Sequence, residues 1–87
     1  MDNYIVEVLS QYLLEYSDDK YRIKIRVDDL REPVPEIIIY EVLDKEENKL
    51  INLSKEVQLE ISKRICAYLK SEGYKKIYTE EFGYIDV

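Results

Sequence analysis

Ile37-Ile38-Ile39-Tyr40-Glu41-Val42-Leu43 is the longest apolar run in the chain, and its β-branched and aromatic content predicts a strand rather than a helix. A strand with one wet face alternates polar with apolar residues. Here Ile37, Ile39 and Leu43 share one parity and Ile38, Tyr40 and Val42 the other, with Glu41 the sole polar residue between them. Such a strand needs cover on both faces. The chain's own helices are expected over one face, so the reading of function turns on what meets the other.

Immediately upstream, Tyr21, Ile23, Ile25 and Val27 alternate with Arg22, Lys24, Arg26 and Asp28, the period of a strand with one buried and one basic face. Pro33 and Pro35 make the intervening stretch a loop, because they lack amide protons and push the residues before them toward extended conformations. Downstream, Lys45 to Asn48 form a charged tip and Lys49 to Leu53 return as a short strand, so a hairpin is expected despite the absence of Gly from the turn. Ser54 then suits the N-cap of a helix whose Val57, Ile61, Ile65, Tyr68 and Leu69 form the core stripe. Gly73 marks its end, placing Tyr74 against Leu69.

The flanks are less patterned. Ile5, Leu9, Tyr12, Leu13 and Tyr16 recur at helical spacing, which predicts an amphipathic helix over about Asn3 to Tyr16, capped by Asp2 or Asn3 and ended by Ser17, Asp18 and Asp19. Lys75 to Val87 reads as a last strand, with a kink or bulge at Gly83. The expectation is therefore a single α+β domain over residues 1–87, in the order α-β-β-β-α-β, with an antiparallel or mixed sheet and two helices on one face.

Composition bounds the function. The chain has 87 residues, a net charge of −6, no His and one Cys. A net negative charge disfavours nonspecific binding to nucleic acid and to anionic membranes. A single thiol cannot make an internal disulfide, and no apolar stretch is long enough to span a bilayer, which together predict a cytoplasmic location. The absence of His removes the commonest general base and the usual partner of a Ser or Cys nucleophile. Gly73 and Gly83 are the only glycines, so no phosphate-binding loop exists, and the ligands for a structural zinc site or a calcium loop are missing. No enzyme, cofactor or metal is expected. Cys66, inside the second helix, reads as a small half-buried apolar residue.

Two surfaces remain. If Tyr21 to Asp28 pairs with Ile37 to Leu43, then Ile37, Ile39 and Leu43 lie on the outer sheet face, bordered by Arg22, Lys24, Arg26 and Glu41. An apolar centre with an Arg-containing border is the composition of a protein interface, and a homodimer or a partner protein is expected there. The acids Asp18, Asp19, Asp28, Asp29, Glu46 and Glu47 form a second set, able to imitate phosphates to a basic nucleic-acid enzyme. The resulting expectation is a small acidic inhibitor or regulator of a larger protein, of the kind small mobile-element proteins often are by analogy. The competing reading is a nucleic-acid binder in which Arg22, Lys24 and Arg26, about 7 Å apart along the strand, meet phosphates while exposed tyrosines stack on bases. The chain has nine Tyr. Tyr12, Tyr16, Tyr21 and Tyr68 fall on expected core stripes, whereas Tyr40, Tyr74, Tyr78 and Tyr84 are less constrained.

Overall fold

The computed structural model describes residues 3–85; the expected cap at Asp2 and the last residue of the expected terminal strand, Val87, lie outside them. Among the described residues seven strands and one helix follow one another as β1 (Tyr4–Ser10), β2 (Leu13–Asp18), β3 (Tyr21–Val27), β4 (Glu36–Asp44), β5 (Lys49–Leu50), α1 (Lys55–Ser71), β6 (Ile77–Thr79) and β7 (Gly83–Ile85). They make a single mixed sheet in the order β1-β2-β3-β4-β6-β7, with β5 beside the far half of β4. All pairings are antiparallel except β4 with β6. The helix crosses from β5 to β6 and covers one face.

This corrects the expected order and the two-helix layer. The segment from Asn3 to Tyr16 is not a helix but most of a β-hairpin, turning at Gln11 and Tyr12. Its apolar residues are dense enough to fit both periods, and the strand period is the one the tertiary structure rewards. Leu14 and Tyr16 are fully buried, whereas Ile5, Leu9 and Tyr12, members of the supposed helical stripe, are 62, 47 and 50 % exposed. Long-range pairing of β2 with β3 decides the matter, because Leu14 meets Ile25 and Tyr16 meets Ile23 across the ladder. Asp18 does not end a helix. Its Oδ1 accepts the amides of Lys20 and Tyr21 at 2.8 and 2.7 Å and so closes the turn into β3.

The middle of the chain follows its local signals, although the strand expected over Lys49 to Leu53 is only Lys49–Leu50. Asn48 takes the left-handed conformation at the β4–β5 tip, φ 53°, supplying what a Gly would have supplied. Ser54 Oγ accepts the amide of Val57 at 3.3 Å as the N-cap of α1. At the other end Gly73 has φ 107° and the Tyr74 amide donates to the Leu69 carbonyl, the expected left-handed termination. The final segment, expected as one strand with a kink or bulge at Gly83, is instead a β6–β7 hairpin, with Gly83 in a positive-φ conformation at its turn.

The core lies between α1 and the inner face of the sheet. Ile61, Ile65, Cys66 and Leu69 of the helix meet Leu14, Tyr16, Ile23, Ile25, Val27, Ile37 and Val42, with Ile77 and Ile85 closing one side. Cys66 is fully buried rather than half-exposed, because α1 presents more than the narrow stripe expected of it.

Candidate functional site

The outer sheet face is built differently from the alternation of the Ile37–Leu43 run. In the β3–β4 ladder Lys24 pairs with Glu41 but Ile25 pairs with Ile39, so Tyr40 is one residue too many. Such a bulge reverses the parity of everything beyond it. Before it Ile37 and Ile39 point to the helix; after it Val42 does. Ile37 is 2 % exposed and opposite Val27, and Ile39 packs against the core opposite Ile25. Their expected place on the outer face is thus corrected, and Ile38, expected inside, lies outside at 38 % exposure. Leu43 does face outward, half-buried between Arg22 and Leu50.

The centre of the outer face is charged, not apolar. Arg22 Nε lies 3.8 Å from Glu15 and Lys24 Nζ 3.9 Å from Glu41, so two members of the basic row face acids from the neighbouring strands. These exposed pairs are long and weak, yet they offset the row's positive field. Arg26 behaves differently: its guanidinium sits 4.7 Å above the Tyr40 ring and its cross-strand neighbour is Ile38.

Arg26 opens onto a patch that the sequence did not assemble. Tyr78 and Tyr84 are cross-strand partners in β6 and β7, with rings edge to face at 5.2 Å, and Lys76 lies 5.9 Å over the Tyr84 ring. Tyr40 and Tyr84 are 57 and 68 % exposed. Ile38, Tyr40, Tyr78 and Tyr84 thereby form an aromatic and apolar surface on the end of the outer face away from the β4–β5 tip, edged by Arg26, Lys76 and Glu36, the ladder partner of Tyr78. The signal available in the sequence was the surplus of unconstrained tyrosines. What gathered them was the parallel pairing of β4 with β6, a contact between residues some forty positions apart.

The acidic set is dispersed. The turn holding Asp18 and Asp19 adjoins the tip holding Glu46 and Glu47, since the Lys45 amide donates to the Lys20 carbonyl at 3.0 Å. Asp28 and Asp29 sit at the opposite end of β3. Asp28 Oδ1 accepts the amides of Asp29 and Glu36, and Asp29 holds the Arg31 guanidinium at 2.8 Å, which lowers its carboxyl's proton affinity. Asp19, Glu46 and Glu47 remain as an exposed acidic end.

Asp18 belongs to a partly buried polar cluster. Tyr16 Oη donates to Asp18 Oδ2 at 2.6 Å and accepts from Arg64 at 2.7 Å, while Arg64 also reaches Glu60 at 3.2 Å and lies over the Tyr4 ring. Burial works against ionisation of Asp18, but the Tyr16 hydroxyl, the two turn amides and the Arg64 charge together hold its carboxyl below the usual range. Burial and the Asp18 carboxylate push the Tyr16 phenol well above its ordinary value, so it is a donor and not a base. No buried side-chain polar atom among the described residues lacks a hydrogen-bond partner. The cluster ties β2 to α1.

Further recesses are open. One of about 590 Å³ lies between the Leu30–Val34 loop and the residues after α1, floored by Leu30, Pro33, Val34 and Tyr74. The Tyr74 hydroxyl donates to the Leu30 carbonyl, so its polar end is already engaged. Among the described residues no three acidic or thiol side chains converge as metal ligands, and no helix is long and apolar enough to cross a membrane. No protein-family model, curated protein or solved structure matches the chain.

Proposed function

We propose that the chain is a non-enzymatic protein-interaction domain, an inhibitor or regulator that binds a larger protein through the Ile38, Tyr40, Tyr78, Tyr84 patch. The observation that supports this reading is the composition of that patch. Exposed tyrosines with an arginine stacked on one of them are what the energetic centres of protein interfaces are made of. Tyr contributes a large rigid area with two rotatable bonds, so little side-chain freedom is lost on contact. The acidic end at Asp19, Glu46 and Glu47 adds long-range attraction for a basic partner. A cytoplasmic location accords with a buried thiol that needs no partner.

The same tyrosines suit base stacking, and the nucleic-acid reading therefore remains the competitor. Against it stand Arg22 and Lys24, each facing a carboxylate, and the net charge of −6. The test compares the immobilised native chain with a Tyr40→Ser/Tyr84→Ser variant, both checked for fold by circular dichroism. Retention of a nuclease-resistant protein partner by the native chain, lost from the variant, supports the proposal. Retention of nucleic acid, or equal retention by both chains, overturns it.

A further inference from the structure

Strand β1 ends the sheet, and its free edge is unlike the protected edges of soluble proteins. Terminal strands usually carry Lys or Pro, are very short, or are covered. Tyr4–Ser10 is seven residues long, contains neither Lys nor Pro, and has Glu7 as its single charge. Ile5, Val8 and Leu9 are 62, 50 and 47 % exposed, although Val8 pairs with the buried Leu14 on the helix side of the sheet. The core thus stops short at β1, and α1 does not reach far enough to cover Val8.

Between β1 and the flank of α1 runs a groove of about 450 Å³. Tyr4 forms one wall; Leu59 and Ala67 form the apolar part of the other, with Glu56 and Glu60 toward the start of the helix and Lys63 further along. Glu56 and Lys63 have no ion-pair partner among the described residues. From this edge and this groove we infer that the chain binds a second copy of itself, β1 against β1 in antiparallel, to give one sheet continuous through the dimer.

The side chains of β1 make the edge complementary to itself in one register. An antiparallel pair centred on Glu7 would oppose the two Glu7 carboxylates, which is unfavourable. Centring on Val6 instead places Val6 against Val6, Tyr4 against Val8 and Ile5 against Glu7, so that Val8 gains its missing cover and no like charges meet. The two-fold axis then stands perpendicular to the sheet and makes the two α1 helices antiparallel. A symmetric contact of this kind is self-complementary, as a closed dimer requires. The surface is distinct from the aromatic patch on the opposite face, so the two proposals stand or fall separately.

The experiment is the solution mass by light scattering at two widely separated concentrations, with thermal melts to confirm that each variant folds. The native chain is expected to be a dimer, and Val8→Lys, at an already exposed position, a folded monomer of half the mass. Register is read by oxidation: Val6→Cys should cross-link across the axis, since directly opposed residues lie within disulfide reach, while Glu7→Cys should not. A monomer at both concentrations overturns the inference. So does a dimer indifferent to Val8→Lys, or one dissociated only by Tyr40→Ser/Tyr84→Ser.

Discussion

Arg64 of α1 donates a hydrogen bond to the Tyr16 hydroxyl of β2 at 2.7 Å, across a sequence separation of 48 residues. The Tyr16 hydroxyl in turn donates to Asp18, which itself lies 3.6 Å from Arg64, so the phenol bridges an ion pair between the helix and the hairpin that precedes it. Removing that hydroxyl leaves two charged groups with poorer partners in a largely dry setting. Tyr16→Phe is expected to lower the unfolding free energy by about 1 to 3 kcal/mol while preserving the fold. Urea denaturation of the two chains measures the difference.

The same cluster predicts an acid dependence. The folded-state carboxyl of Asp18 titrates below its unfolded value, so its contribution is fully present above the unfolded value, about pH 4, and is lost as the pH falls through the folded one. The stability advantage of the native chain over Asp18→Asn should therefore be largest near neutrality and shrink below about pH 4. Chemical denaturation of both chains at a series of pH values gives the difference curve, in which other acids largely cancel.

Position along β4 should decide the cost of truncation. Ile37 lies in the core at 2 % exposure, and Ile38 beside it faces outward at 38 %. Ile37→Ala is expected to cost about 2 to 5 kcal/mol, through lost burial and the cavity left behind. Ile38→Ala should cost less than about 1 kcal/mol. Equal losses in thermal or urea unfolding would contradict the bulge at Tyr40 and the parity it imposes.

Cys66 offers a probe of opening. Burial among Ile65, Leu69 and the sheet pushes its thiol up to about 11, an effect the nearby Lys70 charge only partly offsets. At about pH 8 a thiol reagent should therefore modify the native chain only as fast as it opens. Added urea should accelerate labelling in step with global unfolding. Rapid labelling of the native chain would place Cys66 on the surface.

Much of this architecture is written locally. The alternation from Tyr21 to Val27, the Ser54 cap, the core stripe of α1 and the left-handed Gly73 each depend on interactions within a few residues, and each appears where its residues put it. The composition is equally plain in the sequence, with no His and with Gly only at positions 73 and 83.

What only the tertiary structure decided was every choice between two locally acceptable answers. Residues from Asn3 to Tyr16 satisfy a helical and a strand period alike, and pairing with β3 selects the strand because it buries Leu14 and Tyr16 together with Ile23 and Ile25. The faces of Ile37 to Leu43 depend on a single extra residue, Tyr40, whose effect no alternation count contains. Tyr40, Tyr78 and Tyr84 become one surface only because β4 and β6 run side by side in parallel. The energy that settles these choices is the burial of apolar area between segments far apart in the chain, and a linear sequence carries that term only in the sum over its contacts.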